Sequence, residues 1–295
     1  MPITDPSIDA LQFPTLKYLR QQWWDEEFTS FLRDTLRPRP GDVVLDVGCG
    51  PGLAETALGR GLAQVRMVGI DLVPARVHEA RDALLGHDLV PCLAAAEASK
   101  LPFADGRFSA SFTVGVLQHV ADEDLVVAEM ARVTAPGGRL VCVEPDNASR
   151  YAYSSVSAGT RSFTLARRFF DALGASRGEA EDRAVGPRLP AVFTRHDVAV
   201  TLVRLFPITR VQLGPPPAEA WDDRRARVAK AVARTSSRAV GELGHEYLRS
   251  LDAYEISARM AGRAFVEIQS TLLVATVGEK HGEKHGETHG ETHGA

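Results

Sequence analysis

The sequence predicts an α/β fold of the doubly wound kind, a mostly parallel sheet with helices on both faces. Three observations predict it. Five compact apolar runs, at 43–47, 65–70, 89–94, 108–114 and 139–144, alternate with helical stretches. Strands and helices in that alternation form βαβ units, whose crossovers make neighbouring strands parallel. A glycine-rich turn follows the first run at once, and the second run ends on an acid, Asp71. With 295 residues, 44% hydrophobic and 24% charged, the chain also has the length and composition to bury a substantial core.

Residues 1–40 are expected to form an N-terminal helical cover. Its amphipathic stretch, 16–36, carries Tyr18, Trp23, Trp24, Phe28 and Phe31, and Arg37-Pro38-Arg39-Pro40 closes it, because proline has no N–H to continue a helix. The five strand runs follow. After Glu144 the regular alternation stops: 145–150 reads as a loop at its proline, 162–173 as a helix, and 174–188 as a polar segment. Residues 198–213 are strand-like but interrupted by Pro207, 218–235 and 243–268 are helical, and 270–277 is the last apolar run. These elements compose one domain over 41–277 with a helical lid inserted at about 214–268. From residue 278 the chain repeats Gly-Glu-Lys-His and then Gly-Glu-Thr-His, a low-complexity segment expected to be a disordered, His-rich tail over 278–295. Four of the nine histidines fall there at period four. Imidazoles are competent metal ligands, yet glycine at every fourth position opposes the helix that would align them, so no metal site is assigned.

Lys+Arg 34 against Asp+Glu 38 leaves a net charge of −4, which argues against a nucleic-acid partner. The basic stretch Arg224, Arg225, Arg227, Lys230 and Arg234 lies at helical spacing, the pattern of a solvated helix face. The three cysteines, Cys49, Cys92 and Cys142, lie in or beside strand runs, with no disulfide framework. No apolar run reaches the ~20 residues of a membrane span, and 1–9 lacks the pattern of a signal peptide. The expectation is a soluble, cytoplasmic protein of open oligomeric state.

The turn after the first strand reads Asp46-Val47-Gly48-Cys49-Gly50-Pro51-Gly52. Glycines let a backbone approach a ligand closely and aim its N–H groups at an anion, although a plain tight turn is equally consistent with these residues alone. Dinucleotide enzymes use G-x-G-x-x-G. Here Leu53 holds the sixth position. Asp71, at the end of the second strand, can accept from both ribose hydroxyls or cap the following helix. Glu97, just after the third run, offers a second acid to an exocyclic amine.

With these motifs in place the stretch 40–147 resembles class I S-adenosylmethionine-dependent methyltransferases, the type 11 or UbiE-like small-molecule branch. The resemblance rests on Leu45 to Gly52, Gly69-Ile70-Asp71-Leu72, Leu101-Pro102-Phe103, Val116-Leu117-Gln118-His119-Val120 and Arg132 to Leu140, in order and at the expected spacing. It implies a Rossmann-like seven-stranded sheet with the last strand antiparallel, and S-adenosylmethionine as cofactor. It further implies that Gly48, Cys49, Gly50 and Gly52 hold the methionine end, with Asp46 supporting the loop near its ammonium. Asp71 would hold ribose, Leu72 and Arg76 would flank adenine, and Glu97 and Ala98 would face its edge. Val114, Gly115 and Gln118 would close the pocket near the sulfonium. The family usually has Asp where Glu97 stands, and often an apolar side chain at position 76.

The acceptor expected is a small molecule, attacked in line. The alternatives are a noncatalytic S-adenosylmethionine-binding regulator and an RNA methyltransferase. His119, near the end of the fourth strand, is the candidate base because imidazole titrates near neutrality; packing is its competing role. Glu144, with Asp146 and Asn147, ends the fifth run and could orient an acceptor or simply cap a loop. Tyr18, Trp23, Trp24, Tyr151 and Tyr153 are candidate walls for a planar or apolar acceptor.

Overall fold

The structure is a computed structural model that describes residues 23–59, 61, 64–176 and 184–282. The chain forms two compact units: Met1–Glu144, Gly186–Arg204 and Val274–Ala295 in the first, Pro145–Val185 and Leu205–Leu273 in the second. The stretch 41–277 is shared between these two units, and 214–268, expected as a lid, falls in the second. Tyr18 and most of the tail lie outside the described residues.

In the first unit, helix α1 (Glu26–Leu36) begins where the Asp25 carboxylate accepts the Phe28 N–H at 2.8 Å, satisfying a donor that the first helical turn leaves open. It ends at Arg37 in the left-handed conformation, with φ of 45°. Phe28, Phe31, Leu32 and Leu36 are buried, the spacing of one helix face. The helix thus starts at 26, within the 16–36 stretch expected from the sequence.

Strands β1 (Val43–Val47), β2 (Arg66–Asp71), β3 (Leu93–Ala95) and β4 (Phe108–Val114) pair in parallel, with Asp46 opposite both Gly69 and Phe112. They are linked through α2 (Leu53–Gly59) and α3 (Pro74–Leu85), and α4 (Glu123–Val133) leads into β5 (Thr134–Ser154). The sheet order is β3-β2-β1-β4-β5-β7-β6, with β6 spanning Val198–Leu213 and β7 spanning Val266–Lys280. Side-chain contacts pair Thr201 with Val277 and Thr209 with Ser270, so β6 and β7 run in opposite directions. β7 is the antiparallel strand of a seven-stranded Rossmann-like sheet. Helix α6 (Val185–Arg195) packs Leu189, Val192 and Phe193 into the interior.

Both prolines read as interruptions lie inside strands. Pairing of β4 with β5 ends at Val143, so Pro145 falls where no N–H is owed to β4. Pro207 sits on β6, the edge strand, the place in a sheet where proline is tolerated. The loop expected at 145–150 is accordingly strand, and Asp146 Oδ1 accepts from the N–H groups of Ala148 and Ser149. At the other end, β7 continues through Gly278 to Lys280, so the repeat segment begins inside a strand. Lys280 Nζ donates to the Thr134 carbonyl at 2.8 Å.

The second unit contains α5 (Ser157–Ser176), α7 (Ala218–Arg234) and α8 (Arg238–Ala261). Its core gathers Phe169, Trp221, Tyr254 and Phe265. Within it Arg224 forms a bidentate ion pair with Glu267 at 2.7 and 2.9 Å, and the Tyr254 hydroxyl donates to Glu267 at 2.6 Å. The Arg224 guanidinium also lies 4.7 Å from the Trp221 ring centre, a cation–π contact. Arg225 pairs with Asp222, Asp252 and Glu255. The basic stretch of α7 is therefore in part buried and paired, a correction to the solvated face expected for it.

Candidate active site

The glycine turn between β1 and α2 takes three left-handed residues, Gly48, Gly50 and Gly52, with φ of 81°, 53° and 78°. A side chain at Gly48 would collide with Val116, whereas the space around Gly50 is open. The loop's N–H groups turn inward. Those of Gly48 and Cys49 both donate to the Ile70 carbonyl at 2.8 Å, that of Gly52 to the Cys49 carbonyl, and that of Gly50 to Asp71 Oδ2 at 2.9 Å. The expectation that these groups are aimed at an anionic ligand is corrected on this point: they pin the loop to the end of β2.

Asp71 has a second partner, accepting the Val73 N–H at 2.8 Å through Oδ1. An ionised carboxylate has about four acceptor positions, so two stay open for hydroxyls after the loop and the helix entry have taken theirs. Asp71 thus both holds Gly50 and ends in reach of the loop's open side. Leu72 is half exposed, and Arg76 lies 3.6 Å from Glu79. Glu97 is exposed and accepts from the Ser99 hydroxyl at 2.6 Å; Ala98 is half-buried.

Behind the loop lie two buried acids, Asp46 from β1 and Glu55 from α2, each 3% exposed. Gly69 makes their enclosure possible, because a side chain there would strike the Glu55 carboxylate and the Cys49 Cβ. Neither Glu55 oxygen meets a hydrogen-bond donor N–H or hydroxyl among the described residues. What Glu55 faces is the Asp46 carboxyl, and two buried carboxyls in contact persist by sharing a proton. Burial pushes Glu55 up to about 7. Burial, reinforced by the charges of Glu55 and Asp71, holds Asp46 well above the carboxylate range. The same burial and acids keep the Cys49 sulfur a neutral thiol. Asp46 was expected from the sequence; Glu55 was not.

At the end of β4, Gly115 is left-handed, with φ of 67°, and a side chain there would meet the Trp23 ring. Val114 is half-buried, and Gln118 Nε2 reaches the Gly115 carbonyl at 3.5 Å. Glu144 is fully buried. Its Oε1 accepts the N–H groups of Val116 and Leu117 at 2.7 and 2.8 Å, and its Oε2 that of Gln118 at 3.3 Å. A carboxylate spanning three successive amides fixes the 3-10 turn Leu117–His119, the capping side of the two roles expected for Glu144. His119, at the end of that turn, is exposed. The Leu101-Pro102-Phe103 segment has its own clamp, unforeseen in the sequence: Arg132 donates to the Leu101 and Phe103 carbonyls, and Glu129 accepts the Leu101 N–H while paired with Arg132.

The charges around this loop decide which ligand fits. The groups acting on Asp46, Cys49 and Glu55 are carboxylates and the thiol, with no basic side chain among them. A pyrophosphate would find the amides of Gly48, Cys49, Gly50 and Gly52 already bonded and no basic side chain among the groups acting on the buried acids. A ligand carrying an ammonium and a sulfonium would find acids, an open glycine and a carboxylate with acceptor positions to spare, and the residues fit S-adenosylmethionine on that ground.

Comparison with known proteins agrees. Residues 45–142 match the family model of the methyltransferase domain. The chain is 38% identical over 112 residues to a demethylmenaquinone methyltransferase of Mycobacterium marinum, covering 38% of this chain and 45% of that protein. It is 34% identical over 135 residues to the 27-O-demethylrifamycin SV methyltransferase of Amycolatopsis mediterranei, covering 41% and 49%. The matched stretch thus spans less than half the length of either relative. In fold, the chain is similar to a Bacillus halodurans protein described as a methyltransferase, with a TM-score of 0.56, 16% identity, and coverage of 86% of this chain and 99% of the other. No helix among the described residues is long and apolar enough to cross a membrane. The stretch that resembles the methyltransferase domain, residues 45–142, holds the glycine loop, both buried acids and the clamp.

Proposed function

We propose that the protein is an S-adenosylmethionine-dependent methyltransferase acting on a small-molecule acceptor. The observation that carries the reading is the character of the glycine loop: the amides of Gly48, Cys49 and Gly50 are spent on β2, and three acids, Asp46, Glu55 and Asp71, lie around it with no cation among the groups acting on the buried pair. Such a site favours a cationic amino-acid donor over a dinucleotide. Bound there, the donor supplies a methyl on a sulfonium, and attack by an acceptor lone pair forms the new bond as the C–S electron pair passes to sulfur, leaving a neutral sulfide.

The chain's residues divide the work. Gly50 and Gly52 give the methionine end room, and Asp46 with Glu55 places negative charge behind it. Asp71 offers its open acceptor positions to the ribose, Leu72 and Arg76 flank the adenine, and Glu97 and Ala98 meet its edge. Val114, Gly115, Gln118 and Trp23 line the sulfonium end. Positioning supplies most of the acceleration, since fixed near-attack geometry is worth about 7–11 kcal/mol. His119, presented by a turn that Glu144 holds rigid, takes a proton from an acceptor that arrives protonated.

Two relatives are named for demethylmenaquinone and for 27-O-demethylrifamycin SV, which supports a small organic acceptor. The pairing of Arg224 and Arg225 takes two of the five cations of the basic stretch, which weighs against RNA. The test is transfer of a labelled methyl group to pooled small phenols and quinols and, separately, to total RNA. Label in a small molecule, lost with Asp71→Asn, is the expected result; label in RNA alone would overturn the acceptor class, and no transfer to either pool would count against catalysis.

A further inference from the structure

Glu55 has no place in the motifs that define the donor site. It projects from α2 into the space opened by Gly69 and lies against Asp46, 97% removed from solvent, with no donor for either oxygen among the described residues. A buried carboxyl so placed is stable while it holds a proton and costly once that proton leaves. The titratable groups that face it are Asp46 from β1, the Cys49 thiol from the loop and Asp71 from the end of β2. Each is neutral or negative, so none of these groups compensates a negative charge on Glu55.

The cationic donor of the preceding section would compensate it. Resting on that reading, we propose that Glu55 is a positioning residue whose proton is exchanged for the donor: in the free protein Glu55 holds a proton of its own beside the protonated Asp46, and binding of the sulfonium amino acid releases the Glu55 proton to solvent, leaving a singly ionised pair behind the loop. Donor affinity is then tied to pH. Free Glu55 titrates near 7, and a cation nearby lowers that value, so affinity rises as pH rises towards 7 and levels off above it. One unit of lowering corresponds to about a fivefold gain in affinity between pH 6 and pH 8.

Titration calorimetry of the full chain with S-adenosylmethionine at pH 6, 7 and 8, in two buffers of different ionisation enthalpy, tests this on the wild type alone. The expected result is a tighter Kd at pH 8 than at pH 6, by about three- to tenfold, with net proton release at pH 7. Glu55→Gln, which keeps the shape but carries no proton to exchange, should bind with a flat profile and no Glu55-linked release. A wild type with no proton release, or a variant whose pH profile matches the wild type, would overturn the role of Glu55 while leaving the donor assignment intact. No binding at any pH would overturn the donor assignment and this inference together.

Discussion

Removing the Glu55 carboxyl should stabilise the protein above neutral pH. In the unfolded chain a glutamate titrates at 4.5; in the fold Glu55 is pushed up to about 7. The folded state therefore holds a proton that the unfolded state releases. By linkage, stability is unaffected by this acid below pH 4.5, falls progressively between 4.5 and 7, and stays reduced above 7. A displacement of about 2.5 units at 1.36 kcal/mol per unit gives a penalty of about 3 kcal/mol at pH 8. Glu55→Gln lifts it, because the amide is neutral at every pH and its NH2 can donate to Asp46. Urea denaturation of both proteins at pH 5, 6, 7 and 8 reads the difference directly. The two should be closest at pH 5 and separate steadily, with the variant about 3 kcal/mol more stable at pH 8. Parallel pH profiles, or a variant less stable at pH 8, would refute the protonated burial of Glu55.

Glu144→Ala strands three buried N–H groups and should cost about 3–5 kcal/mol in urea denaturation, whereas Glu144→Gln keeps one acceptor oxygen and should cost less than half of that. Arg224→Met leaves Glu267 buried without its cation and should destabilise by about 3–5 kcal/mol, with the loss diminishing in acid as Glu267 protonates. His119→Gln should lower kcat about a hundredfold for an acceptor that ionises late and leave donor Kd unchanged, measured by single-turnover methyl transfer and by titration.

The motif block was legible because each motif is local: a strand, its turn and the acid ending the next strand sit side by side in the sequence as in the sheet. Asp71 could be assigned from its place at the end of β2, although its contacts to Gly50 and Val73 could not. The parts misread depend on neighbours distant in the chain. Pro145 and Pro207 interrupt a strand only if an N–H is owed at that point, and sheet order decides that. Glu144 looked equally like a ligand and a cap, since a strand-end acid serves either role; the three amides of 116–118 settle its contacts. Glu55 stands in the sequence only as an acid of the first turn of α2. Its burial depends on Gly69, which the register sets opposite Asp46, and the pair of Ala54 and Leu58 on the buried face of the same short helix was the one local sign that α2 turns inward there.

The central claim is that the glycine loop receives a cationic adenosyl amino acid and rejects a dinucleotide. Equilibrium titration of the purified full chain with S-adenosylmethionine and with NADH, repeated on Asp71→Asn, tests it most directly. The account predicts micromolar binding of S-adenosylmethionine, at least tenfold weaker in the variant, and no binding of NADH. Binding of NADH, or S-adenosylmethionine affinity unchanged by Asp71→Asn, would contradict it.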